Sequence, residues 1–225
     1  MREHGVYALI TEVKHFRKPG HKPSLWILIA MVSVGPFGDT EYIPSLPDIA
    51  HYFHTSYAMA QYTMTTYLVG FALFQLVYGI FSDRYGRRPL MLCGALIFIC
   101  GSLICYVSQS MTVLLAGRCL QGMGSCAGAI LSNASVRDAF PLHQRGKIYA
   151  FVNAAFAISP GVAPIIGTFI AQWYPWRMHF LLLLVMSAVL FICVWFFYPE
   201  TNSHKDPDAL QWRGIKRSYL ALWHD

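Results

Sequence analysis

Polar and apolar positions are segregated into long blocks along this chain. Predominantly apolar runs cover Leu25–Ile43, Tyr62–Phe81, Leu90–Val107, Met111–Ile130, Ile148–Ile170 and Met178–Phe197. Each is near the ~20 residues that a helix rising 1.5 Å per residue needs to cross about 30 Å of hydrocarbon. The runs do not alternate as barrel strands do, and they are about twice as long. The pattern therefore predicts an all-α membrane protein with six transmembrane helices. The polar remainder gives an N-terminal segment 1–24, a six-helix bundle 25–198 and a tail 199–225. Only Ser108–Ser110 separates the third and fourth runs, which predicts a tight antiparallel hairpin. No small-residue cleavage site follows the first run, so it reads as a span and not as a signal peptide.

Composition narrows the class further. The 225 residues are 56% hydrophobic and 12% charged, about half the charge of a soluble chain, and the mean hydropathy is +0.43. A soluble domain, a disordered chain and a disulfide scaffold are excluded on these figures. The six cysteines all fall inside apolar runs, with no C-x-x-C and no Cys/His spacing suited to zinc, and read as small packing residues. Cofactors are not expected. G-x-S-x-G, H-E-x-x-H and P-loop motifs do not occur, which leaves an enzymatic reading without support.

The net charge of +6 is distributed unevenly. Lys and Arg are gathered in the N-terminal segment, in the connections after the second and fourth runs, and in the tail. The opposite connections hold only Arg177, and Arg118 lies inside a run. By the positive-inside rule this predicts that both termini are cytoplasmic and that the membrane is the inner one. The basic residues are thereby assigned to the lipid surface, and nucleic acid is not an expected partner. Val6–Val13 has a short amphipathic pattern, and Leu46–Tyr57 is an aromatic connection suited to the headgroup zone.

Four motifs carry more than hydropathy. Gly79-Ile80-Phe81-Ser82-Asp83-Arg84-Tyr85-Gly86-Arg87-Arg88-Pro89 combines a helix exit, a turn glycine, a guanidinium cluster and a Pro suited to a helix's first turn. It resembles the G-x-x-x-D-R-x-G-R-R signature of the major facilitator superfamily, found between that family's second and third helices. Gly117-Arg118-Cys119-Leu120-Gln121-Gly122-Met123-Gly124 is similar to the R-x-x-Q-G-x-G element of its fourth helix. Ser159-Pro160-Gly161-Val162-Ala163-Pro164-Ile165-Ile166-Gly167 is similar to the Gly/Pro element of the fifth helix in the drug-exporting branches. Tyr42-Ile43-Pro44-Ser45-Leu46-Pro47 resembles the first-helix exit of bicyclomycin-resistance type (Bcr/CflA) exporters. Arg217-Ser218-Tyr219-Leu220 is similar to the stretch before the family's seventh helix. Thr168 stands where a second Gly is usual, and Asp39 is one residue off the family's Asp-x-Tyr order.

The resemblance implies the N-terminal six-helix bundle, a 3+3 inverted repeat, of a drug:proton antiporter. It implies proton-coupled efflux of drugs or other small molecules, with the proton gradient as the energy source. The implied gating loop between helices 2 and 3 comprises Gly79, Asp83, Arg84, Gly86, Arg87 and Arg88. The implied antiporter motif of helix 5 comprises Pro160, Gly161, Pro164 and Gly167. Asp83 would meet the second bundle, and in its absence fall back on local arginines.

The charges inside the runs suggest a proton and substrate cavity formed by Asp39, Glu41, Arg118 and Gln121. An intramembrane charge is a functional candidate by default. Asp39 lies roughly 21 Å along a helix entering at Leu25, and Arg118 roughly 10 Å along one entering from the other side at Met111. In a core of about 30 Å the two reach the same depth and can pair. The alternative places Asp39 and Glu41 among lipid headgroups. Two residues apart, these acids point about 200° away from each other on a helix, and either is a candidate for the proton. Gly122, Gly124 and Gly128 read as close-packing residues, and Pro160 and Pro164 as a bend. Tyr62, Tyr67, Phe71, Phe74 and Tyr78 read as packing or lipid-facing, and His51, His54 and His179 as interfacial.

A single bundle supplies one wall of a transport path, and alternating access requires a second body. The expected partners are a small-molecule substrate, the bilayer, and a second six-helix half in trans or as a dimer. The alternatives are a truncated, transport-inactive fragment, or a membrane interaction module that docks on full-length transporters.

Overall fold

The glycine and proline positions decide where the apolar runs become helices. The structure, a computed structural model, describes residues 22–202. The segment around Val6–Val13, the basic residues before it and up to Lys18, and the tail with Arg217 lie outside the described residues. Helix α1 is Leu25–Thr40 and carries Pro36. Glu41 caps it, and a 3-10 turn, Ile43–Ser45, leads into the short α2, Leu46–Tyr52. The first span is thus shorter than its apolar run, because Pro44 has no N–H with which to continue the ladder, while Pro47 falls in the first turn of α2, where none is needed.

The remaining helices are longer than their apolar runs. They are α3, Tyr57–Tyr85, α4, Arg87–Val107, α5, Met111–Ala139, α6, Leu142–Trp173, and α7, Arg177–Phe197. These five are long and apolar enough to cross a membrane. The 29 residues of α3 extend roughly 43 Å, so its ends outrun the hydrocarbon and its polar last turn is still helix. Ser56 and Ser110 cap α3 and α5 by accepting from the N–H groups of Met59 and Val113.

Residues 82–89, which separate the second and third apolar runs, are not a loop but continue the two helices with a single break at Gly86, where φ is 106°, a conformation that a Cβ would strain. Between the fifth and sixth apolar runs the non-helical stretch is likewise only 174–176. The hairpin at Ser108–Ser110 keeps its expected length.

Helix α5 is the axis of the bundle. It packs on α1, α3 and α4, while α6 packs on α1 and α7 on α4. Two apolar cores result. One gathers Phe37, Tyr42, Leu46, Ile49, Leu114, Phe180 and Leu183 at the α2 end. The other gathers Leu28, Met91, Leu131, Val136, Val194 and Tyr198 at the Gly86 end. Large apolar side chains of α3 and α6, among them Leu73, Leu76, Ile165 and Phe169, face outward.

Candidate functional site

Small residues on α5 bring its neighbours' backbones into contact with it. A Cβ on Gly122 would stand 1.9 Å from the Tyr67 carbonyl oxygen, one on Gly124 2.4 Å from the Phe98 nitrogen, and one on Gly128 2.2 Å from the Met31 carbonyl oxygen. This is the close packing that small residues permit between membrane helices. The buried face of α5 includes Leu114, Gly117, Arg118, Gln121 and Gly122, a helical stripe that aims Arg118 at α1 and α3.

Arg118 has no exposed surface. Its Nη1 donates to the Gly38 carbonyl and to Gln121 Oε1, both at 2.9 Å, and its Nε donates to the Thr63 carbonyl at 3.3 Å. Its Nη2 donates to Asp39 Oδ1 at 3.3 Å. The guanidinium carbon also lies 4.3 Å from the Tyr42 ring centroid and 4.4 Å from that of Tyr67, within the range of cation–π attraction. Gln121 passes the network on by donating to Ser102 Oγ at 2.8 Å. The Tyr42 hydroxyl shares a 2.7 Å hydrogen bond with Thr63 Oγ1, and the Tyr67 hydroxyl donates to the Gly35 carbonyl.

The structure brings Asp39, Arg118 and Gln121 together and sends Glu41 elsewhere. Asp39 keeps 15% of its side chain exposed beside the wholly buried arginine. Glu41 is buried and faces α7, where its Oε1 lies 2.7 Å from His179 Nδ1. Neither acid is unpaired. The interfacial assignment of His179 is corrected as well. It is buried, and Ser45 and Glu41 occupy both of its ring nitrogens.

At the opposite end, Gly79, Asp83 and Arg84 belong to the last turns of α3, and Arg87 and Arg88 open α4. Arg87 is 4% exposed and holds Ser82, Asp83 and Asp138 at once, the two acids at 2.8 and 2.9 Å. Asp83 keeps half of its side chain exposed. Arg84 is exposed and lies over the Tyr85 ring, while Arg88 donates to the Trp195 carbonyl.

The helix-5 motif divides in two. Gly167 lies hard against the Glu41 backbone, and Gly161 faces open space. Helix α6 runs through Pro160 and Pro164 without interruption, and the Pro160 carbonyl faces Thr40 Oγ1 at 3.5 Å.

Sequence reasoning missed Tyr42, Tyr67, Thr63, His179 and Glu200 as parts of these clusters. Tyr67 shares one helical face with Ala60, Thr63 and Gly70, a stripe of mostly small residues that signals a buried side. Glu200 follows α7, and its carboxylate accepts from the backbone N–H groups of Arg87 and Arg88 at 2.9 and 3.3 Å. That caps the start of α4 with a negative charge.

Residues 23–224 match the family described as Major Facilitator Superfamily. Multidrug resistance protein D of Escherichia coli K12 is 34% identical over 178 residues, covering 79% of this chain and 45% of that protein. The Bicyclomycin resistance protein homolog of Haemophilus influenzae is 32% identical over 188 residues, covering 84% and 47%. Among solved structures, a human organic anion transporter superposes with a TM-score of 0.67 at 21% identity, over 84% of this chain and 51% of that one. The likeness to that structure is one of fold. The chain spans about half the length of the curated relatives it matches.

Proposed function

Because the chain belongs to the Major Facilitator Superfamily, we propose that it forms the N-terminal half of a proton-coupled exporter of drugs or other small molecules. It is an integral membrane protein homologous to multidrug efflux proteins. In this reading both termini are cytoplasmic, the membrane is the inner one, and the substrate path runs between this bundle and a second six-helix body.

One observation carries the reading. Among the described residues that accept from Arg118, only Asp39 can take up a proton, and it has exposed surface where Arg118 has none. Protonating Asp39 removes one ionic partner but leaves the guanidinium held by the Gly38 and Thr63 carbonyls, by Gln121 and by two tyrosine rings. The stranded-charge penalty that makes breaking a buried ion pair costly is thereby reduced. Asp39 can then exchange its arginine contact for a proton, or for a cationic group of a substrate, without dismantling the bundle. Proton and substrate compete for one carboxylate, which is the minimum requirement for exchanging one against the other.

The test is transport in vesicles with an imposed pH gradient, using a panel of compounds and the chain supplied together with a complementary half. Gradient-driven export that Asp39→Asn abolishes supports the reading. Export that persists undiminished in Asp39→Asn overturns it.

A further inference from the structure

The contact between Glu41 and His179 lies outside the arginine network and outside the motifs. His179 Nδ1 is 2.7 Å from Glu41 Oε1, and Nε2 of the same ring is 2.7 Å from Ser45 Oγ. All three residues are without exposed surface. The second oxygen of Glu41, Oε2, is buried with no hydrogen-bond partner among the described residues. A carboxylate and an imidazole in one dry cluster, with one oxygen left over, are more than the attachment of α1 to α7 requires. A neutral hydroxyl or amide pair would fasten the helices without the cost of burying charge.

The geometry of the ring explains what the extra groups can do. Two proton arrangements fit the same heavy-atom positions. In the first, a neutral imidazole donates Nδ1–H to the Glu41 carboxylate, and the Ser45 hydroxyl donates to Nε2. The cluster then carries one negative charge. In the second, one further proton sits on Nε2, which donates to Ser45 Oγ, and the serine turns from donor to acceptor. The net charge is then zero. A serine hydroxyl can play both parts, so the cluster accepts a proton by reversing one hydrogen bond.

We propose that Glu41, His179 and Ser45 form a second proton-binding site, distinct from Asp39–Arg118, that takes one proton per bundle at the junction of α1 and α7. The charged and titratable neighbours leave this proton to the cluster. On α1, Asp39 is turned to Arg118. On α5, Arg118 is already shared among Asp39, Gln121 and the Gly38 and Thr63 carbonyls. On α3, the Tyr67 hydroxyl is committed to Gly35. Helix α6 presents Gly167 to Glu41. On α7, Arg177 is held by the Tyr106 and Ser108 carbonyls and the Tyr52 hydroxyl. Asp48 and His51 of α2 are exposed.

The site can be tested without transport. Its outcome is therefore separable from the export reading: export could fail while the titration stands, and the titration could fail while export persists. The 225-residue chain is solubilised in detergent with its histidine rings labelled with ¹⁵N. Infrared difference spectra between acid and alkaline samples then report imidazole and carboxyl protonation. Beyond the signals of the other eight histidines, the wild-type chain is expected to show one imidazole component that vanishes in His179→Gln and equally in Glu41→Gln, because a buried imidazolium needs the carboxylate as its counter-charge. The double variant should lose no more than either single one. Ser45→Ala, the mildest change, should keep the signal and shift its half-point by roughly two- to tenfold in proton concentration, the worth of one hydrogen bond. If the component lost in His179→Gln survives in Glu41→Gln, the proposal is overturned. A folded His179→Gln chain that loses no signal would also overturn it, since the contact would then be a fastening only. If the buried substitutions prevent folding, an unmoved half-point in Ser45→Ala is by itself sufficient to overturn it.

Discussion

Gly167 of α6 lies against the Glu41 carbonyl so closely that a Cβ on the glycine would stand 1.7 Å from that oxygen. The contact is backbone to backbone, and no rotamer change can relieve an added methyl group. Gly167→Ala should therefore push α6 away from the end of α1 and cost about 1–3 kcal/mol, as overpacking does. Gly161, in the same motif, meets nothing within 4 Å. Gly161→Ala should be neutral or stabilise the isolated chain by about 0.5–1 kcal/mol, the usual gain from replacing a helical glycine. Thermal unfolding of both variants in detergent checks the pair, and the opposite order would contradict the packing described for α6.

Asp39 and Arg118 should differ sharply when each is replaced. Arg118→Ala leaves Asp39 without its counter-ion and the Gly38 and Thr63 carbonyls without a side-chain donor, so a loss of about 3–5 kcal/mol is expected. Asp39→Asn keeps the remaining acceptors of the arginine and should fold at nearly wild-type yield, while abolishing gradient-driven export in the assembled transporter. Arg118→Lys offers one ammonium where a planar fork serves four acceptors, and should fall between them in stability. Expression yield and melting temperature report the first quantity, and vesicle transport the second.

At the other end, an arginine and its acid have unequal weight. Asp83 is half-exposed, and Asp83→Asn should change the stability of the isolated chain by about 0–1 kcal/mol, as for exposed ion pairs. Arg87 is buried and joins Ser82, Asp83 and Asp138. Arg87→Ala should cost at least about 1–3 kcal/mol through the acceptors it leaves behind. Asp83→Asn should instead weaken co-purification with a complementary half. A larger melting-temperature loss for Asp83→Asn than for Arg87→Ala would contradict this division.

Glu200, which follows α7, caps α4 at the Gly86 end of the bundle. Glu200→Ala should destabilise the chain by about 0.5–2 kcal/mol, the usual range for losing an N-terminal cap. Glu200→Gln should lose less, because its amide oxygen still accepts one of the two N–H groups. Amide hydrogen exchange at Arg87 and Arg88 should accelerate in both variants, and unchanged exchange at these two positions would remove Glu200 from the cap.

The meeting of Asp39 with Arg118 was legible in the sequence because depth along a straight helix is simple arithmetic. Two antiparallel spans at known starting points fix which charges share a level. His179 was not legible by the same means. Its nearness to a chain reversal suggested an interface, whereas its spacing with Leu183 and Ser187, one turn apart each and all buried, marks the inward face of α7. The helix ends around Gly86 were not legible from the apolar runs, because polarity marks the edge of the hydrocarbon and not the end of a helix. Glu200 was out of reach, since only the closed bundle sets residue 200 beside residue 87.

The backbone seams around α5 also bear on how this protein can evolve. Where two side chains interlock, an enlarged residue on one helix can be compensated by a reduced one on the other. At Gly122 the opposing atom is the Tyr67 carbonyl oxygen, and at Gly128 it is the Met31 carbonyl oxygen. Every residue type carries that atom in the same place. Second-site suppressors of a substitution at either glycine therefore cannot arise at the contacting position. They must come from changes that move a whole helix, which leaves these glycines with almost no single-step route to a tolerated replacement.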